Sequence, residues 1–108
     1  MTPEGFRKLA LTLPGAEESA HCDHPDFRIG GKVFASLGYP NDEHGMVKLT
    51  PEQQVEFVEK QPGAFEPCKG VWGQRGTTSV HLAAVTKSVL QAALALALQN
   101  TAAPRRRK

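Results

Sequence analysis

Apolar residues at Phe6, Leu9, Ala10 and Leu13 follow the i, i+3, i+4, i+7 spacing of one helix face. Thr2 is placed to cap that helix, with Pro3 in its first turn. Arg7 and Lys8 point away from the stripe, and Pro14-Gly15 ends it. Ala16 to Cys22 alternates weakly and predicts a first strand. Asp26–Ile29 and Lys32–Leu37 then read as two strands folded back on each other at Gly30-Gly31, because a two-residue turn with positive φ at both positions favours glycine. That turn pairs Ile29 with Lys32, Arg28 with Val33 and Phe27 with Phe34. It places Phe27, Ile29 and Phe34 on the core side and Arg28 on the other, with Arg28 and Lys32 flanking the tip.

A polar loop over residues 38–45 leads to a strand over Met46–Leu49. Thr50-Pro51-Glu52-Gln53 has the order of a capping box. The helix it starts shows Val55, Phe57 and Val58 on its apolar side and stops at Pro62-Gly63. Residues 62–70 read as irregular, anchored by Phe65. Val71-Trp72 and Thr77–Leu82 read as a second hairpin across Gly73-Gln74-Arg75-Gly76. Val89, Leu90, Ala93, Leu94, Ala97 and Leu98 give a final helix, from about Thr86 to Gln99, a broad apolar face. The expected order is α-β-β-β-β-α-β-β-α, an α+β antiparallel sheet with helices on one face. Residues 1–100 form a single domain, and 101–108, which have no core-facing pattern, a disordered basic tail.

Composition changes this picture little, but charge changes it sharply. One domain fits 108 residues, 40% hydrophobic and 22% charged. No apolar run is long enough to cross a bilayer, so no membrane partner is expected. The first residues lack the basic-then-apolar order of a signal peptide, so a cytoplasmic location with Cys22 and Cys68 as reduced thiols is expected. The net charge of +2 is a property of the tail. Arg105, Arg106, Arg107 and Lys108 carry +4, which leaves nine cations against eleven acids over residues 1–104. The bulk field therefore does not favour a polyanion, and a nucleic-acid role has to rest on local placement of charge or on the tail.

Three blocks carry a family resemblance: Phe27-Arg28-Ile29-Gly30-Gly31-Lys32-Val33-Phe34-Ala35, then Lys48-Leu49-Thr50-Pro51-Glu52, then Gly70-Val71-Trp72-Gly73-Gln74-Arg75-Gly76-Thr77-Thr78 with Val80-His81-Leu82. In this order and spacing the chain resembles the MmcQ/YjbR family of small bacterial proteins, whose fold is similar to the frataxin/CyaY type. The resemblance implies a non-enzymatic DNA-binding protein with a double wing, in which two β-hairpins flank a helical part. It carries over no catalytic residue. The wings would be tipped by Gly30-Gly31 and by Gln74-Arg75-Gly76.

On that reading Arg28, Lys32, Lys69 and Arg75 contact phosphates of double-stranded DNA. Gly30 and Gly31 let a backbone N–H approach, Trp72 offers a stacking platform, and Arg105–Lys108 add a mobile arm. No base-reading element is evident, so low sequence specificity is expected. Each residue also has a plainer role. The cations serve equally as solvated surface charge, the tail as a solubility feature, and Trp72 between two glycines more readily as a core anchor. The competing function is a non-catalytic module that takes a protein or small ligand in the groove near Trp72 and Tyr39. Iron handling ranks last, since the first helix offers Glu4 against Arg7 and Lys8. His21-Cys22-Asp23-His24 contains only metal-competent side chains, yet neighbours on an extended chain point apart, so no metal or cofactor is expected. Cys68 and His81 can act as nucleophile and base only if the fold joins them. Gly70, Gly73 and Gly76 do not match a phosphate loop, which needs a following helix. A monomer is the expected state.

Overall fold

Three helices cover one face of a six-stranded antiparallel sheet and leave the other face open. The computed structural model describes residues 1–21, 24–38 and 41–102. Helix α1 spans Pro3–Leu11, with Thr2 accepting from the Gly5 N–H. Strands β1 (Glu17–His21), β2 (His24–Ile29), β3 (Lys32–Leu37) and β4 (His44–Lys48) follow, then α2 (Pro51–Lys60), β5 (Phe65–Pro67), α3 (Gly70–Gln74), β6 (Thr77–His81) and α4 (Lys87–Ala102). The sheet order is β1-β2-β3-β4-β6-β5, with every neighbouring pair antiparallel.

The core lies between the sheet and helices α1, α2 and α4. Leu90, Ala93, Leu94 and Ala97, one turn apart along α4, are fully buried. They meet Phe27, Phe34 and Ala35 from β2 and β3 and Val47 and Val80 from β4 and β6 in one cluster. Phe6 of α1 packs over Gly45 and against Phe27. Phe57 of α2 lies 5.3 Å from Phe65 of β5, ring centre to ring centre. The capping box at Thr50 forms as expected, with reciprocal bonds to Gln53. None of the helices among the described residues is long and apolar enough to cross a membrane.

The first hairpin turns at Gly30-Gly31, with φ of 59° and 83°, the primed turn that only glycine adopts cheaply at both positions. Its register departs from the expected one. Ile29 pairs with Lys32 and Arg28 with Val33, but Phe27 pairs with Ala35 and Asp26 with Ser36. Phe34 is therefore the extra residue of a β-bulge. The bulge buries Phe34 and Ala35 together and returns Leu37 to the core. Strict alternation from the turn would have sent Leu37 to the open face.

The second hairpin is not present. Val71-Trp72 belong to α3, and the antiparallel partner of β6 is β5, which occupies part of the segment expected to be irregular. Gln74-Arg75-Gly76 is therefore the end of a short helix and not a wing tip. Trp72 is 60% exposed, which overturns its role as core anchor. The element order accordingly gains a helix between the last two strands. Helix α4 also runs past Gln99, because Asn100 Nδ2 donates to the Lys48 carbonyl oxygen and to Gln53 Oε1, at 3.0 and 2.8 Å. Arg105, Arg106, Arg107, Lys108, Tyr39, Cys22 and Asp23 lie outside the described residues, so the arm and the tetrad of metal-competent side chains are not among the features placed here.

Candidate ligand trough on the open sheet face

Alternation along β2, β3, β4 and β6 sends one set of side chains into the core and the other to the uncovered face. The second set forms an open trough of about 690 Å³. Its floor is Asp26, Arg28, Val33, Ser36, Met46, Thr77 and Ser79, and one wall is the run Glu66–Lys69 with Trp72.

Strand register sorts these residues into rows. Arg28 opposite Val33 and Lys48 opposite Thr77 mark one end of the trough. Asp26 opposite Ser36, and Met46 opposite Ser79 with Glu66 beyond it, make the middle. The far end is a row of histidines. His21 pairs with His24 and His44 with His81, while the His24 ring lies against Gly38, whose N–H donates to the His44 carbonyl. By backbone register the four histidines thus fall in one line across the sheet, of which His24 and His44 line the trough. No local sequence signal showed this, because strands distant in the chain bring them together.

Charge in the trough is unevenly satisfied. Arg28 Nε and Nη2 donate to the two carboxylate oxygens of Asp26, at 2.9 and 3.1 Å. This fork ties the guanidinium to the Asp26 carboxylate, and the hydrogen bond raises the Arg28 pKa further. At the histidine end the Asn41 side-chain oxygen accepts from His44 Nδ1 at 2.8 Å. That leaves His44 Nε2 to accept from His81 Nε2–H at 3.2 Å, with Glu66 Oε1 at 3.2 Å from the same His81 nitrogen. Lys48 and Lys69 have no carboxylate within ion-pair distance among the described residues.

The Trp72 wall is positioned by a buried amide. Gln54 Nε2 on α2 lies within 3.2 Å of the Gly73 carbonyl, the Thr77 carbonyl and Thr78 Oγ1, while Thr78 Oγ1 donates to the Gly76 carbonyl. Gly73 sits so close to the Cys68 carbonyl that no side chain fits there. The glycine spacing at 70, 73 and 76 therefore closes α3 onto its neighbours. Cys68 lines the trough as a free thiol. Burial, and after it the charge of Glu66, push its pKa up, which keeps it protonated and unreactive at neutral pH. Cys68 makes no contact with His81, which sits at the far end of β6, opposite His44. Among the described residues, no group of three or more His, Cys, Asp or Glu side chains is arranged to hold a metal ion.

Arg28 and Lys69 of the expected phosphate-binding set and Trp72, the expected stacking platform, line this trough. Gly30 and Gly31 form the hairpin tip, and Lys32 pairs with Ile29, one register position away from the Arg28 row and on the opposite face. Arg75 caps α3 outside the trough lining. Sequence reasoning missed Lys48, Met46 and the histidine row.

A family model described as YjbR matches residues 11–99. The chain is also similar to the crystal structure of Deinococcus radiodurans protein DR2400, which bears the family-model domain DUF419. The TM-score is 0.70 at 21% identity, over 86% of this chain and 72% of that one. That likeness shows the fold: an α+β antiparallel sheet with helices packed against it. No curated protein matches the chain.

Proposed function

The chain belongs to the YjbR family, and from that premise we propose a non-catalytic binding role in which a small organic ligand with an apolar, planar body seats in the trough against Trp72. The observation that carries this reading is an open sheet face, mostly apolar in its exposed area, walled by an exposed tryptophan on a short helix whose backbone Gln54 anchors at the Gly73 carbonyl. A volume of about 690 Å³ falls within the range of small-molecule sites, roughly 300–1,000 Å³. An exposed indole beside Met46, Val33 and Pro67 gives a flat ring something to stack on. The protonated Cys68 favours binding over covalent chemistry.

Duplex DNA is the weaker reading on this geometry. It keeps the Gly30-Gly31 tip but loses the second wing to α3, and the Arg28 guanidinium is already engaged by Asp26.

Trp72 is the chain's single tryptophan, so its emission reports directly on the site. Titration with uncharged N-phenyl-1-naphthylamine should quench Trp72 saturably, with a dissociation constant of roughly tens of micromolar for a ligand of this size. Met46→Asp should abolish the response. No change in Trp72 emission up to the probe's solubility limit would contradict the proposal. Tight, salt-sensitive binding of an arbitrary duplex by the same protein would shift the reading to DNA.

A further inference from the structure

From the placement of charge we infer that the trough selects an organic monoanion and orients it, with the anionic group at the Lys48–Lys69 end and the apolar body running over Met46 toward the histidine row. This rests on the trough being the binding site. The three cations of the trough, Arg28, Lys48 and Lys69, lie toward one end of the open face. Lys48 pairs with Thr77, whose carbonyl accepts from the Cys68 N–H, so Lys48 and Lys69 flank the same short stretch of sheet beside Trp72.

The acids are distributed differently. Asp26 is buried and neutralised by Arg28. Glu66 is exposed, and its carboxylate is turned to His81, with Oε1 3.2 Å from the His81 Nε2. Two ammonium groups with no carboxylate partner among the described residues, beside an apolar surface, complement a carboxylate or sulfonate on a hydrophobic body. Lys48 lies four residue steps along β4 from His44, about 13 Å of strand, enough for a molecule of two or three fused or linked rings. An anion placed the other way round would face Glu66.

The test compares two probes that share a body. The sulfonate 1-anilinonaphthalene-8-sulfonate and the uncharged N-phenyl-1-naphthylamine are titrated against Trp72 emission in 20 mM and 500 mM salt. At low salt the sulfonate should bind about tenfold more tightly, a margin that two partly solvated charge contacts can supply. The preference should shrink in high salt. The double substitution Lys48→Gln, Lys69→Gln should bring the ratio of the two affinities close to one, and Lys48→Arg, Lys69→Arg should retain it. Equal affinity for both probes in the parent protein, or a preference that survives in the glutamine variant, would overturn the inference and leave the trough standing. If neither probe perturbs Trp72, the trough reading fails and the inference with it.

Discussion

Replacing Gly73 by alanine sets helix propensity against packing, and the two predict opposite signs. Gly73 lies inside α3 and does not have positive φ. Propensity alone makes Gly→Ala stabilising there by about 1 kcal/mol. In this fold a β-carbon at Gly73 would lie 1.7 Å from the Cys68 carbonyl oxygen and 2.8 Å from its carbonyl carbon. A tolerable carbon–oxygen contact is about 3.3 Å, so backbone has to move by roughly 1.5 Å. Overpacking of that kind costs about 1–3 kcal/mol. The shift also breaks the Gln54–Gly73 hydrogen bond, for about another 1 kcal/mol. After the propensity gain, the expected net effect is a loss of about 1–3 kcal/mol, a fall in Tm of roughly 5–20 °C. Urea unfolding followed by circular dichroism measures it, and Trp72 emission reports whether the wall has moved. Gly63→Ala is the control, since nothing lies within 4 Å of a β-carbon there, and it should change stability by less than about 0.5 kcal/mol. A Gly73→Ala protein as stable as its parent, or more so, would refute the packing argument and the fixed Trp72 wall that depends on it.

Leu94→Ala in the fully buried stripe of α4 should cost about 2–5 kcal/mol by urea unfolding. Thr50→Ala removes the bond from the Gln53 N–H to Thr50 Oγ1, leaves the Thr50 N–H bonded to Gln53 Oε1, and should cost about 1 kcal/mol. Asn100→Ala should cost about 1–2 kcal/mol, because the Lys48 carbonyl loses its side-chain donor, and hydrogen exchange should then show the end of α4 opening more often. The Cys68 thiol has its pKa raised by burial and by Glu66, so in a Cys22→Ser background its alkylation by iodoacetamide should be slower at pH 8 than that of the unfolded chain. Its contribution to stability is present below the ordinary thiol pKa and is lost as pH rises through the higher folded value, because the unfolded chain gives up the proton first. A Cys68 that reacts as fast folded as unfolded would contradict this.

The sequence carried most of the scaffold. Helices α1 and α4 with their buried stripes, the Thr50 capping box and the glycine turn at 30–31 depend on local spacing and were legible from it, whereas Val55, read onto the apolar side of α2, is exposed and Gln54 is buried in its place. The failures share a cause in tertiary context. The segment from Gly70 to Gly76 has three glycines in seven residues and no periodic apolar pattern, so local reading made it a hairpin. The buried amide of Gln54 and the tight approach of Gly73 to Cys68 make it a helix instead. The bulge at Phe34 is invisible to strict alternation, although the three-residue spacing from Phe34 to Leu37 was the available sign. For the site, Arg28 and Lys69 were singled out as phosphate contacts and Trp72 as a stacking platform, and the three line one trough. Lys48, Met46 and the histidine row lay hidden, because only the pairing of β2, β3, β4 and β6 sets them side by side.

A chemical-shift map of ¹⁵N-labelled protein with 1-anilinonaphthalene-8-sulfonate tests the central claim most directly. The Trp72 indole N–H and the backbone amides of Met46, Thr77 and Ser79 should shift together and saturate at one affinity. The amides of Gly30 and Gly31 and of α1 should stay in place. Shifts concentrated at the hairpin tip or on the helical face, with the trough silent, would contradict it.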